Sequence, residues 1–114
     1  MADLTKAELR NRVLQHIGVL AAGQSASGED ANMVDESIDA AHERLRKMGL
    51  VPFATSAIPP WAQAPLRDYV AGDVAATFGM REPSWKEGQM MAERDLARQV
   101  AGFRHDLRTT AEYF

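Results

Sequence analysis

Apolar residues recur at helical spacing from the start of the chain. Leu9, Val13, Ile17 and Leu20 stand at i, i+4, i+8 and i+11, with mostly polar residues between them. That spacing predicts an amphipathic helix with one dry face. Just upstream, Leu4-Thr5-Lys6-Ala7-Glu8-Leu9 has the form of a helix start. Thr5 is the expected cap, Glu8 completes a capping box, and Leu4 is positioned to staple onto Leu9. Gly23 to Asp30 then reads as a loop by composition.

A second stripe follows. Val34, Ile38, Ala41, Leu45 and Met48 keep a heptad-like rhythm suited to near-antiparallel packing. Ser27 supplies a capping oxygen, and Glu29 and Asp30 place negative charge at the start of the helix. Arg44, Arg46 and Lys47 place positive charge at its end. Gly49 suits the left-handed position after the last turn, with Leu50 folding back on Leu45. Pro52, Pro59 and Pro60 make 51–59 a connector whose Val51, Phe53 and Ile58 tuck against the core.

Pro60 fits the first turn of a third helix whose apolar residues are Trp61, Leu66, Tyr69, Val70, Val74 and Phe78. Pro65 predicts a kink or a restart one turn in. Gly72 and Ala75-Ala76 are small enough to admit a neighbouring helix closely, and a large aromatic at Trp61 is expected to anchor the entry of the helix. A fourth helix starts at Pro83 or Ser84, with Trp85, Ala92, Leu96, Val100 and Phe103 as its stripe. From Arg104 the period fades. The expected organisation is an all-α bundle of four helices over 1–105, followed by an extended C-terminal tail at 106–114.

Composition changes this picture little. The 114 residues suit one domain, and the mix of 46 % hydrophobic and 25 % charged residues is globular. The absence of cysteine excludes disulfides and thiolate metal sites. No apolar run approaches the roughly 20 residues that span a bilayer, and the acidic opening lacks the form of a secretory signal, so a cytoplasmic origin is expected. A net charge of −3 argues against avid, non-specific nucleic-acid binding.

Candidate chemistry is sparse. Residues 18 to 25, G-V-L-A-A-G-Q-S, would match a phosphate-binding loop if Gln24 were lysine. Such a loop works after a strand and before a helix, whereas this one follows a helix. His16, His42 and His105 have no second histidine at metal-ligand spacing, and Asp39-x-x-His42 stands alone. Asp35, Glu36, Asp39 and Glu43 read as a solvated helix face, and no nucleophile elbow is present. Neither catalytic, metal nor cofactor residues are expected. Arg10 and Arg12, and the series Arg94, Arg98, Arg104 and Arg108, are the cations available to nucleic acid; ordinary surface ion pairing is the competing role.

Two stretches together carry a resemblance. One is L-T-K-A-E-L-R-N-R-V-L-Q-H-I-G-V, followed by an acidic helix ending L-R-K-M-G-L. The other is I-P-P-W-A-Q-A-P-L-R-D-Y-V-A-G-D-V-A-A-T-F-G-M at 58–80. This layout resembles the head-to-tail adaptor, or head-completion, proteins of tailed bacteriophages, from about Leu4 to Phe103. The stretch from Gly49 to Ile58 is shorter than in many such proteins, and the tail is brief. The resemblance implies a non-enzymatic virion protein, assembled in the host cytoplasm at the head–tail connector. It would form a homo-oligomeric ring of about twelve copies under the portal protein, following the portal's symmetry. The implied partners are the portal protein, a tail, stopper or nozzle protein, and passing double-stranded DNA touched without sequence specificity; no membrane is implied. Leu107, Arg108, Tyr113 and Phe114 of the tail are then the expected portal contacts, and Arg94, Arg98 and Arg104 the expected lining of the DNA channel. The alternative is a small helical DNA-binding or packaging regulator.

Overall fold

In the computed structural model of the chain the described residues are 2–21, 23–24 and 26–112, with side chains described as far as Phe103. They form four α-helices: α1 (Lys6–His16), α2 (Gly28–Lys47), α3 (Pro60–Val74) and α4 (Ser84–Glu112), with a short 3-10 turn, Ala75–Phe78, after α3. Among the described residues the only extended pairing is an isolated antiparallel bridge between Leu4 and Ile58, closed by reciprocal 2.8 Å hydrogen bonds.

Local signals set most boundaries. Thr5 and Glu8 form the reciprocal capping box, and the Ser27 hydroxyl accepts from the Asp30 amide. Both α1 and α2 close in the same way. Gly18 and Gly49 adopt positive φ (84° and 75°), and the next amide reaches back to the helix, Val19 to Leu14 and Leu50 to Leu45. The Leu14 and Leu45 carbonyls thereby gain donors through a turn whose conformation only glycine adopts without strain.

α3 is the central element and packs against each of the other three helices. Its sequence explains this: Ala62, Pro65, Leu66, Tyr69, Val70, Ala71, Gly72 and Val74 are all buried, so little of its circumference needs water. α1 runs antiparallel to α2, as the pairs Lys6–Asp39 and Arg10–Asp35 require. α4 runs antiparallel to α3. At Gly72 the two backbones come so close that a Cβ there would lie 2.6 Å from the Gln89 Cβ and 3.0 Å from the Trp85 carbonyl oxygen.

Several expectations need correction. Pro65 neither breaks nor restarts α3, which runs as one element from Pro60. Its missing amide leaves the Trp61 carbonyl without the usual helical donor, and the helix runs on with its ring buried. Met48 lies outside the core, because α2 ends at Lys47 and the chain turns away. Phe103 is 46 % exposed, since the bundle ends before it does. Trp61 does pack against the core at the entry of α3, but it is half-buried, edge-on between Phe53 (5.7 Å) and Phe103 (5.3 Å). The backbone does not leave the helix near Arg104. α4 continues to Glu112, so 106–112 is helical and not an extended tail. Nothing between Phe103 and Glu112 is a helix breaker, and Gly102 alone, at about 1 kcal/mol, does not stop a helix that long.

Candidate functional site

The chemistry-bearing side chains are mostly engaged in holding helices together. Lys6 reaches Asp39 at 3.1 Å and Arg10 reaches Asp35 at 2.9 Å, tying α1 to α2. Asp35 and Asp39 are therefore not a purely solvated face, and Arg10 is not free for nucleic acid. Arg10 Nε and Asp35 Oδ1 are buried with no hydrogen-bond partner among the described residues, since the pair meets through a single Nη1–Oδ2 contact. Glu43 is held by Arg46, whose hydrogen bond and charge keep its carboxyl below the usual range.

A second network crosses the bundle. Arg44 of α2 pairs with Asp73 Oδ2 and lies over the Tyr69 ring, 5.4 Å from its centroid. Gln89 of α4 donates to Asp73 Oδ1 (2.8 Å) and to the Tyr69 carbonyl (2.9 Å). Asp73 thus joins three helices. Burial raises the Tyr69 phenol above its ordinary pKa, against the opposing charge of Arg44.

Two amides do what periodicity did not predict. Gln63, buried on α3, donates from Nε2 to the Ala2 (3.0 Å) and Ile58 (3.1 Å) carbonyls, while its Oε1 accepts from Arg12 at 3.5 Å. It clasps the N-terminal segment and the connector to the core. The one signal available was a polar residue set between Ala62 and Leu66 on an apolar face.

The histidines build no centre. His16 stands edge-on to Trp85 (5.8 Å) with Nε2 3.4 Å from Asp68, and His42 Nε2 lies 2.7 Å from the Phe53 carbonyl. The His105 side chain is outside the described residues. Among the described residues no cluster of three or more His, Asp or Glu could hold a metal ion. The loop with the phosphate-binding look closes on itself. Gln24 donates its amide to the Ala21 carbonyl and its Oε1 accepts from the Ala21 amide, both at 3.1 Å. It follows the C-terminal end of α1, where the helix dipole repels anions.

What remains exposed and chemically distinctive is the outer side of α4. Met90 and Met91 are 55 % and 68 % exposed, and Arg94 and Arg98 extend beside them with no ion pair among the described residues. A groove of about 440 Å³ runs between this side and α3, with Met91, Arg94, Asp95 and Arg98 on one wall and Ala64, Pro65 and Asp68 on the other. Asp68 and Asp95 temper its positive charge. Arg104, Leu107 and Arg108 lie on the helical backbone of α4 with side chains outside the described residues, and Tyr113 and Phe114 lie outside them altogether. No helix of the described residues is long and apolar enough to cross a membrane. Comparison with protein-family models, with curated proteins and with solved structures finds no match for this chain.

Proposed function

We propose that the chain is a structural assembly protein, a head-to-tail adaptor of a tailed bacteriophage that joins a ring beneath the portal and carries the DNA channel toward the tail. The observation that supports this reading best is the outer side of α4, with exposed Met90 and Met91 beside Arg94 and Arg98. Apolar surface flanked by cations suits contact with other proteins, and scattered arginines suit passing phosphate without base reading. The resemblance of 4–19, 45–50 and 58–80 to adaptor proteins supplies the biological setting.

The test is electron microscopy of the full chain mixed with portal-bearing heads, beside a variant lacking 106–114. Rings seen on the portal with the full chain and not with the shortened one, at unchanged thermal stability, fit the adaptor reading with the C-terminal end as portal hook. An absence of binding by the full chain removes the reading. The second reading, a DNA-binding regulator, draws on the cleft of about 320 Å³ lined by Arg12, Gln15, His16 and Arg67. Tight, sequence-selective DNA binding at moderate salt would favour it, because phosphate contacts alone are weak, salt-sensitive and indifferent to sequence.

A further inference from the structure

The charges of this bundle are not distributed evenly among its outer faces. On α2 the first three turns present one outer stripe at i, i+3, i+7 and i+11, made by Glu29, Asn32, Glu36 and Ala40, all exposed, which runs on to the exposed pair Glu43–Lys47. Glu29 and Glu36 make no ion pair among the described residues, whereas Asp35, Asp39 and Glu43 on the same helix are all engaged. On α4 the solvent side runs from Glu87 through Met90, Met91, Arg94, Ala97 and Arg98 to Ala101, again all exposed and with both arginines unpaired among the described residues. One stripe is acidic and nearly flat. The other is basic and apolar.

The two stripes lie on helices that flank α3, which the Arg44–Asp73–Gln89 network places between them. A single molecule therefore cannot bring its own stripes together. Two copies can.

We infer that the α4 stripe of one copy docks on the α2 stripe of the next, with Arg94 and Arg98 meeting Glu29 and Glu36 and the methionines covering Ala40. Because the two surfaces differ, the contact is head-to-tail: each copy keeps one free stripe of each kind, and addition continues until a ring closes or a filament grows. A twofold dimer through α4 would instead set arginine against arginine. The inference deepens the adaptor reading by naming the lateral contact, and it rests on that reading for the ring alone.

The chain has no cysteine, so introduced thiols report contact cleanly. Ala40→Cys and Ala97→Cys sit in the two stripes, are exposed, and change no charge. Treated with a short bis-maleimide at low salt, a mixture of the two single variants should give at least tenfold more dimer than either alone. The double variant should give a ladder of dimer, trimer and higher species that fades as salt rises. In that double-cysteine background, adding either Arg94→Glu with Arg98→Glu or Glu29→Lys with Glu36→Lys should abolish the ladder; mixing the two charge-reversed forms should restore it. Equal dimer from Ala97→Cys alone would mean an α4–α4 contact and overturn the inference, as would a ladder that survives charge reversal or no ladder at all. The assay contains no portal. A ladder without attachment to portal-bearing heads would therefore sink the adaptor reading and leave the contact standing, and attachment without a ladder would do the reverse.

Discussion

Where α1 lies along α2, the facing charges are occupied with one another: Lys6 with Asp39, Arg10 with Asp35. Where α4 lies along α3, no charged pair crosses the seam among the described residues. It is made by Gly72 under Gln89, by the amide bonds of Gln89, and by Ala92, Leu96 and Val100 buried in a row. The first seam consumes the polar groups that face it, and leaves Glu29 and Glu36 on the outer side of α2. The second seam closes on small and apolar residues, and so leaves the arginines of α4 facing outward. Which helix can serve a partner is decided by how it is attached to its own bundle.

The difference can be broken most forcefully at Leu96, the fully buried leucine of α4. Leu96→Ala should cost about 2–5 kcal/mol, as buried leucine truncations do. Urea unfolding measures the loss, and hydrogen exchange should show α4 amides losing protection before those of α1. Uniform loss over all four helices would mean that the two seams are one cooperative unit. Gly72→Ala comes next. Overpacking of about 1–3 kcal/mol is offset in part by about 1 kcal/mol of better helix propensity, leaving a net loss. A neutral or stabilised Gly72→Ala protein in a thermal melt would show that α3 and α4 can part without cost. Thr5→Ala acts on the other seam by removing the capping box of α1, and should cost about 1 kcal/mol in the same melts while leaving α4 protection unchanged.

Much of the fold was legible because its causes are local. Thr5 with Glu8, Ser27, and Gly49 followed by Leu50 each specify a helix end within a few residues, and each does so in the structure. Face periodicity identified the buried positions but not where the bundle stops. Met48 and Phe103 keep the right phase and still fall outside, since phase says nothing about whether a neighbour is present at that height. Pro65 misled for a related reason: its lost backbone bond is local, whereas the burial of its ring in a helix packed against all three others is a property of the assembled bundle. The exposed arginines of α4 were legible as cations. That Arg10 is engaged and Arg94 is not depends on which helix lies alongside, and that is a property of the assembled bundle. Gln63 and Gln89 were missed because amides have no periodic signature.

The Leu4–Ile58 bridge, held by Gln63, also bears on how fast the molecule comes apart. Helices α1 and α2 and the loop joining them all lie within the span that this clasp closes. Closing so long a span carries an entropic cost that local helix formation does not, and contacts between distant parts of a chain tend to form late. A clasp completed after the folding barrier acts mainly as a brake on unfolding. Gln63→Leu, which keeps the bulk and removes the amide, is then expected to steepen the decay of the native state in stopped-flow unfolding while leaving the refolding limb nearly where it was. Under the adaptor reading, resistance to opening matters more than speed of folding, and the Gln63 side-chain amide, clasping Ala2 and Ile58, is expected to set part of that lifetime.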